Sequence, residues 1–201
     1  MKMKYWLYLS IVFFALAGCA SQGTAPAKKG WYPNIVNYDF VKDYAVLPVK
    51  DGVQIIDARP KARKYDSGHI PGALSIPDSQ FDKMTAQLPK DKSTMLIFYC
   101  GGVKCMLSHK SAFKAEKLGY SNIKVYANGF PDWKKNGGLV GVDVAHIKKQ
   151  MDKGANMVVI DSRPKKRKYD KAHIPGAISI PDSSFDKMTD KLPKDKATPL
   201  Y

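Results

Sequence analysis

The chain has 201 residues, with 33 Lys and Arg against 18 Asp and Glu and a formal charge of +15 at neutral pH. Such a balance attracts anions: small anionic molecules, lipid headgroups, acidic proteins or nucleic acid. The charge is still +13 without Lys2 and Lys4, but those two residues open an export segment, and export excludes nucleic acid as the partner.

Met1 to Lys4 is a short basic start, and Tyr5 to Ala17 is apolar and uncharged. The apolar run is too short to span a bilayer comfortably, so it reads as an export signal. Leu16-Ala17-Gly18-Cys19 resembles the lipobox of bacterial lipoproteins. The resemblance implies that residues 1–18 are a signal peptide and that Cys19 becomes the lipidated first residue. The other reading is an ordinary signal peptide with an incidental cysteine. Ala20 stands where an aspartate would mark inner-membrane retention. The expected location is therefore the cell envelope, on the periplasmic side, with a lean towards the outer membrane. Residues 19–34 are expected to form a tether, small, polar and basic from Ser21 to Gly30.

A first domain is expected over residues 35–140. Val53–Asp57 and Ser93–Tyr99 are short apolar runs that predict buried strands, and Leu74–Ile76 and Ile123–Tyr126 predict shorter ones. Helices are predicted over Ser79–Gln87, Met106–Leu118 and Pro131–Lys135, with Gly119 ending the second of them. Alternation of strand and helix predicts an α/β fold with a mainly parallel sheet covered on both faces. Ligands of such sheets bind beyond the carboxyl ends of the strands. The basic runs Lys61-Ala62-Arg63-Lys64 and Lys165-Lys166-Arg167-Lys168 read as a solvated face or as a binding patch.

Cys100 lies at such a strand end. It opens the loop Cys100-Gly101-Gly102-Val103-Lys104-Cys105, which leads into the predicted helix. Loop amides and the positive helix end both favour a thiolate there. Taken alone, Cys100 reads equally well as a buried structural cysteine. With Cys19 lipidated, Cys100 and Cys105 are the two remaining thiols. An oxidising periplasm then permits a disulfide between them without requiring one.

A repeat follows. Ile56-Asp57-Ala58-Arg59-Pro60 recurs as Ile160-Asp161-Ser162-Arg163-Pro164, and His69-Ile70-Pro71-Gly72-Ala73 as His173-Ile174-Pro175-Gly176-Ala177. The offset is a constant 104 residues, and 30 of 39 positions from Ile56 to Thr94 match their partners. A period this long means duplicated domains rather than solenoid units. The second copy, residues 141–201, is predicted to open with a helix over Val142–Lys153. It reaches Tyr201 before any partner of Cys100. A half-domain would expose the apolar faces of its strands, so either the C-terminal piece packs on something or, the favoured expectation, the sequence is a fragment of a longer chain.

The order of motifs resembles the rhodanese family of sulfurtransferases. They are Asp57-Ala58-Arg59, His69-Ile70-Pro71-Gly72-Ala73, Tyr99-Cys100 before a short loop and helix, and Leu118-Gly119-Tyr120 through Asn128-Gly129-Phe130-Pro131-Asp132-Trp133. The resemblance implies a five-stranded parallel sheet flanked by helices, with Cys100 as the nucleophile that carries sulfane sulfur as a persulfide. Gly101, Gly102, Val103, Lys104 and Cys105 would then bind that persulfide through their amides. The implied partners are a small anionic donor, thiosulfate or polysulfide, and a thiol acceptor, with no metal or organic cofactor. Lys104 would hold the donor or simply be solvated. Asp57 and Arg59 read as supporting residues, since Asp161 and Arg163 persist beside no cysteine loop. The loop lacks the extra residue and the arginine of the related cysteine-based phosphatases. Cys105 departs from the family's commoner Arg, Ser or Thr. That departure leaves two other readings open: a thiol-disulfide redox protein using both cysteines, or a non-catalytic module for another envelope protein. His69 is expected to serve a turn, His109 to be exposed, and Phe130 and Trp133 to pack as a lid.

Overall fold

Successive residues of a strand face opposite sides of a sheet, and the fully apolar run Met95–Tyr99 therefore needs cover on both. A computed structural model describes residues 28–201, so the export segment and Cys19 lie outside the described residues. The first copy runs α1 (Tyr38–Lys42), β1 (Val53–Asp57), β2 (Leu74–Ser75), β3 (Met95–Tyr99), α2 (Leu107–Lys117), β4 (Ile123–Tyr126) and α3 (Gly129–Lys135). The four strands are parallel in the order β2-β1-β3-β4. Ile56, Leu96, Phe98 and Val125 pack on one face with Phe81 and with Ala112 and Ala115 of α2. Ile55, Ile97, Tyr99 and Tyr126 pack on the other with Val41 of α1 and Phe130 and Trp133 of α3. Each large apolar side chain so buried contributes about 1.5–3 kcal/mol.

The fifth strand is reduced to a single bridge. Val36 N–H donates to Val125 O at 3.0 Å and Val125 N–H to Asn34 O at 2.8 Å. Pro33 has no N–H to extend this pairing, and Asn37 immediately caps α1 by accepting from Phe40 N. The helix expected over Ser79–Gln87 is instead two 3₁₀ segments, Asp78–Lys83 and Thr85–Gln87. They are anchored by the buried Phe81. A short span between Pro77 and Pro89 suits the tighter turn.

Two further expectations are corrected. Trp31 to Asn34, assigned above to the tether, pack on the first copy. Tyr32 N–H donates to His109 Nδ1 at 3.0 Å, Tyr32 Oη donates to Glu116 at 3.1 Å, and Trp31 stacks on the His109 ring at 4.7 Å. His109 is thus buried rather than exposed. Both errors have one cause, since an aromatic pair far back in the chain covers the first turn of α2.

The second copy contains α4 (Val144–Asp152), whose Asp143 cap accepts from Ala145 N, and then β5 (Ile160–Asp161) and β6 (Ile178–Ser179). β5 and β6 pair in parallel, and Val158 bridges to Leu200. Ile174, Phe185 and Leu200 are 43%, 42% and 47% exposed, whereas their counterparts Ile70, Phe81 and Leu96 are 0%, 1% and 0% exposed. In the first copy Phe81 and Leu96 pack with α2 and β4, and Ile70 with Tyr99, Tyr126, Phe130 and Trp133. The join is hydrogen-bonded to the first copy. His69 and Gly141 exchange a backbone pair at 2.9 Å each way, and Asp143 N–H donates to Asp66 O at 2.9 Å. Among the described residues, no helix is long and apolar enough to cross a membrane.

Candidate active site

Parallel register sets Asp57 at the end of β1 beside Tyr99 at the end of β3. Their side chains meet: Tyr99 Oη donates to Asp57 Oδ2 at 2.7 Å and accepts from Ile70 N–H at 3.1 Å. Arg59 grips the same carboxylate through Nε and Nη2, and its Nη2 also donates to Gly68 O at 2.7 Å. The Phe130 ring lies 4.2 Å from the guanidinium. All three polar residues are buried. Burial opposes the charge on Arg59, but the hydrogen bonds and field of Asp57 overcome it and raise its pKa. Burial first, and then the Asp57 charge, push the Tyr99 phenol well above its ordinary range. The network is a support under the next residue in the chain, Cys100.

Cys100 is fully buried, with its carbonyl held by Phe130 N–H at 3.0 Å. That approach requires glycine at position 129, where φ is +62° and a Cβ would sit 2.3 Å from the Cys100 oxygen. The loop then turns through Gly102, at φ +109°, so that Cys105 N–H donates to Gly102 O at 2.7 Å. This turn folds Cys105 back over Cys100. Cys100 Sγ lies 3.1 Å from the Cys105 carbonyl oxygen, and Ser108 Oγ donates to Cys100 Sγ at 3.2 Å. Ser108, in the first turn of α2, escaped the sequence reading. A hydroxyl at that point of the helix was its only signal.

The pair is asymmetric. A hydrogen bond shared with Cys105, followed by burial, raises the Cys100 thiol, while the Ser108 hydroxyl and amide pull the other way. The same shared bond lowers Cys105 to about 6, against some burial, with help from the Gly101 and Leu107 amides and the Arg59 charge. Of the two thiols, Cys105 is thus the one whose surroundings favour ionisation. Cys105 is only partly buried and so keeps solvent for its charge.

An open cleft of about 500 Å³ runs beside the loop, between Gly101 to Lys104 and the start of α3. Lys104 and Lys135 give it positive charge, and Asp132, which accepts from Tyr126 Oη at 2.6 Å, closes one side. His69 takes no part. Its Nδ1 pairs with Tyr65 O at 3.0 Å and its ring stacks on Tyr65, as a turn residue would. Among the described residues no group of His, Cys, Asp and Glu is arranged to hold a metal ion.

The family model of the rhodanese-like domain matches residues 42–136 and again 143–201. The chain belongs to the rhodanese-like family. Both matches fall on the repeat, so the family recurs as a second, partial copy. Three similar proteins each align with about half of the chain. The rhodanese domain-containing protein CG4456 of Drosophila melanogaster is 27% identical over 116 residues, covering 52% of this chain and 100% of that protein. The mitochondrial thiosulfate sulfurtransferase RDL2 of Saccharomyces cerevisiae is 29% identical over 119 residues, covering 53% and 76%. The HTH-type transcriptional regulator Rv0324 of Mycobacterium tuberculosis is 31% identical over 96 residues, and the chain spans 41% of its length. Among solved structures, the BH2092 protein of Bacillus halodurans aligns at 29% identity with a TM-score of 0.45, covering 54% of this rhodanese-like chain and 77% of that one.

Proposed function

We propose that the protein is a sulfurtransferase or sulfane-sulfur carrier that holds a persulfide on Cys100 and passes it to a thiol acceptor. The observation that carries this reading is the seat of Cys100, buried at the end of β3 with a hydroxyl donor on its sulfur and a basic cleft beside its loop. Membership of the rhodanese-like family and the name of the yeast relative agree with it. Lys104 and Lys135 favour a small anion such as thiosulfate or polysulfide as donor. Trypsin cuts after Lys104 and so separates the two cysteines onto different peptides. After reduction and incubation with thiosulfate, mass spectrometry is expected to find one added sulfur on the Cys100 peptide. A folded protein with no adduct on either peptide overturns the proposal.

A second reading, thiol-disulfide cycling, is favoured by the closeness of Cys105, whose carbonyl oxygen lies 3.1 Å from Cys100 Sγ. Non-reducing peptide maps separate it from the first, because it requires a Cys100–Cys105 disulfide as the resting product. We also propose attachment to the envelope through a lipid on Cys19, on the strength of the Leu16-Ala17-Gly18-Cys19 motif. Cys19→Ser is then expected to move the protein from the membrane fraction to the soluble periplasmic one. A variant that stays with the membrane removes this part of the reading.

A further inference from the structure

One thiol is enough to carry a sulfur atom, and this loop holds two in unlike settings. We infer that Cys105 is the thiolate that first takes sulfane sulfur from the anionic donor, and that Cys100 then receives the sulfur from Cys105. The inference rests on the sulfurtransferase reading of the site.

Access decides between the thiols. Cys100 has no exposed surface, and the Cys105 carbonyl and the Ser108 hydroxyl enclose its sulfur. A donor arriving from solvent meets Cys105 first, at the partly exposed end of the loop. The charge is also there. The groups facing that sulfur are the Cys100 thiol from the end of β3, the Arg59 guanidinium from the turn after β1, and the amides of Gly101 and Leu107. A positive field and two amide donors suit both a thiolate and the persulfide anion it becomes. Lys104, the residue before Cys105, adds positive charge to the cleft beside the loop, with Lys135 across it.

The two steps balance without an outside oxidant or reductant. With thiosulfate, Cys105 Sγ attacks the outer sulfur, a new S–S bond forms, the donor's S–S bond breaks, and sulfite leaves with the electron pair. Cys105 is now a persulfide anion. Cys100 gives its proton to that outer sulfur and attacks it as a thiolate. The bond to Cys105 Sγ breaks, Cys105 leaves as thiolate, and Cys100 holds the protonated persulfide. Exchange between neighbouring sulfurs of this kind is the chemistry of thiol-disulfide displacement. Cys105 is then ready for another donor, and the sulfur lies where water and stray thiols do not reach it.

The test uses the full chain, reduced, with thiosulfate as the probe and the two tryptic peptides as the readout. Cys105→Ser is expected to load Cys100 about tenfold more slowly or worse, since the ionised thiol is gone. Cys100→Ser is expected to gain one sulfur that stays on the Cys105 peptide, because the second acceptor is gone. The wild-type loading rate is expected to rise through about pH 6, and Cys105→Ser to lose that rise. Cys105→Ala repeats the first arm with a second side chain, and circular dichroism confirms the fold of each variant. Wild-type loading of Cys100 in both Cys105 variants overturns the inference and leaves the sulfurtransferase reading intact. So does a folded Cys100→Ser protein that takes no sulfur. A Cys100–Cys105 disulfide with sulfide as the first product overturns the relay as well. Absence of any adduct on the wild type overturns the parent reading instead.

Discussion

Ser108 illustrates how much of the site depends on a single short hydroxyl. Its Oγ donates to Cys100 Sγ inside a fully buried setting, and such a donor favours the anionic form of the sulfur it faces. Ser108→Ala is expected to leave Cys100 harder to ionise and to slow sulfur transfer about three- to tenfold, for the loss of about 1 kcal/mol. Single-turnover kinetics with the loaded protein measure this, and an unchanged rate removes Ser108 from the mechanism. Tyr99 works beneath the same sulfur. Tyr99→Phe strands an Asp57 oxygen and the Ile70 amide, and is expected to cost about 1–3 kcal/mol of stability in urea unfolding. His109 behaves differently, because its Nδ1 must stay unprotonated to accept from Tyr32 N–H. Burial lowers its pKa below the ordinary 6.5, so the unfolded chain binds the proton first. Stability is therefore fully present above about pH 6.5 and falls as the pH drops through that value towards the folded pKa. Urea midpoints at pH 7.5 and 5.5 are expected to show a drop that His109→Gln reduces.

At the scale of elements, the turn after β1 occurs twice with the same residues and two different environments. Asp57 and Arg59 form their ion pair in a buried setting, under Phe130 and beside Tyr99. Asp161 and Arg163 repeat the same bonds, down to the carbonyl contact with Ala172, but half of the Arg163 side chain is exposed. Breaking a buried pair from one side leaves an uncompensated charge. Arg59→Leu is accordingly expected to destabilise the protein by about 3–5 kcal/mol, and Arg163→Leu to leave the melting temperature nearly unmoved. Equal losses in thermal unfolding count against the difference in burial. The strands that carry these turns were legible from the sequence, because short apolar runs between turn residues admit few other readings. Cys100 was legible for the same reason, being the first residue past such a run. Less legible was whatever the register between strands creates. The Tyr99–Asp57 bond joins residues 42 apart, and no local pattern announces it. The lowered pKa of Cys105 escaped for a related reason, since it depends on Cys100, on two amides and on Arg59, which only the folded loop brings together.

For the whole molecule, the repeat, the family and the poorer cover of the second copy were legible early, whereas the packing of Trp31 and Tyr32 was not. The first copy closes both faces of its sheet, and the second leaves Ile174, Phe185 and Leu200 partly open. Amide exchange of the full chain is expected to be faster over residues 157–201 than over β1 and β3, because opening there gives up less buried surface. Equal protection in both regions would mean that the second copy is covered in solution. The join between the copies gives this difference a mechanical side. Gly141 is paired to His69, and the preceding residue, Gly68, offers its carbonyl to Arg59. The second copy is therefore joined through residues 141, 69 and 68 to the guanidinium beside the cysteine loop.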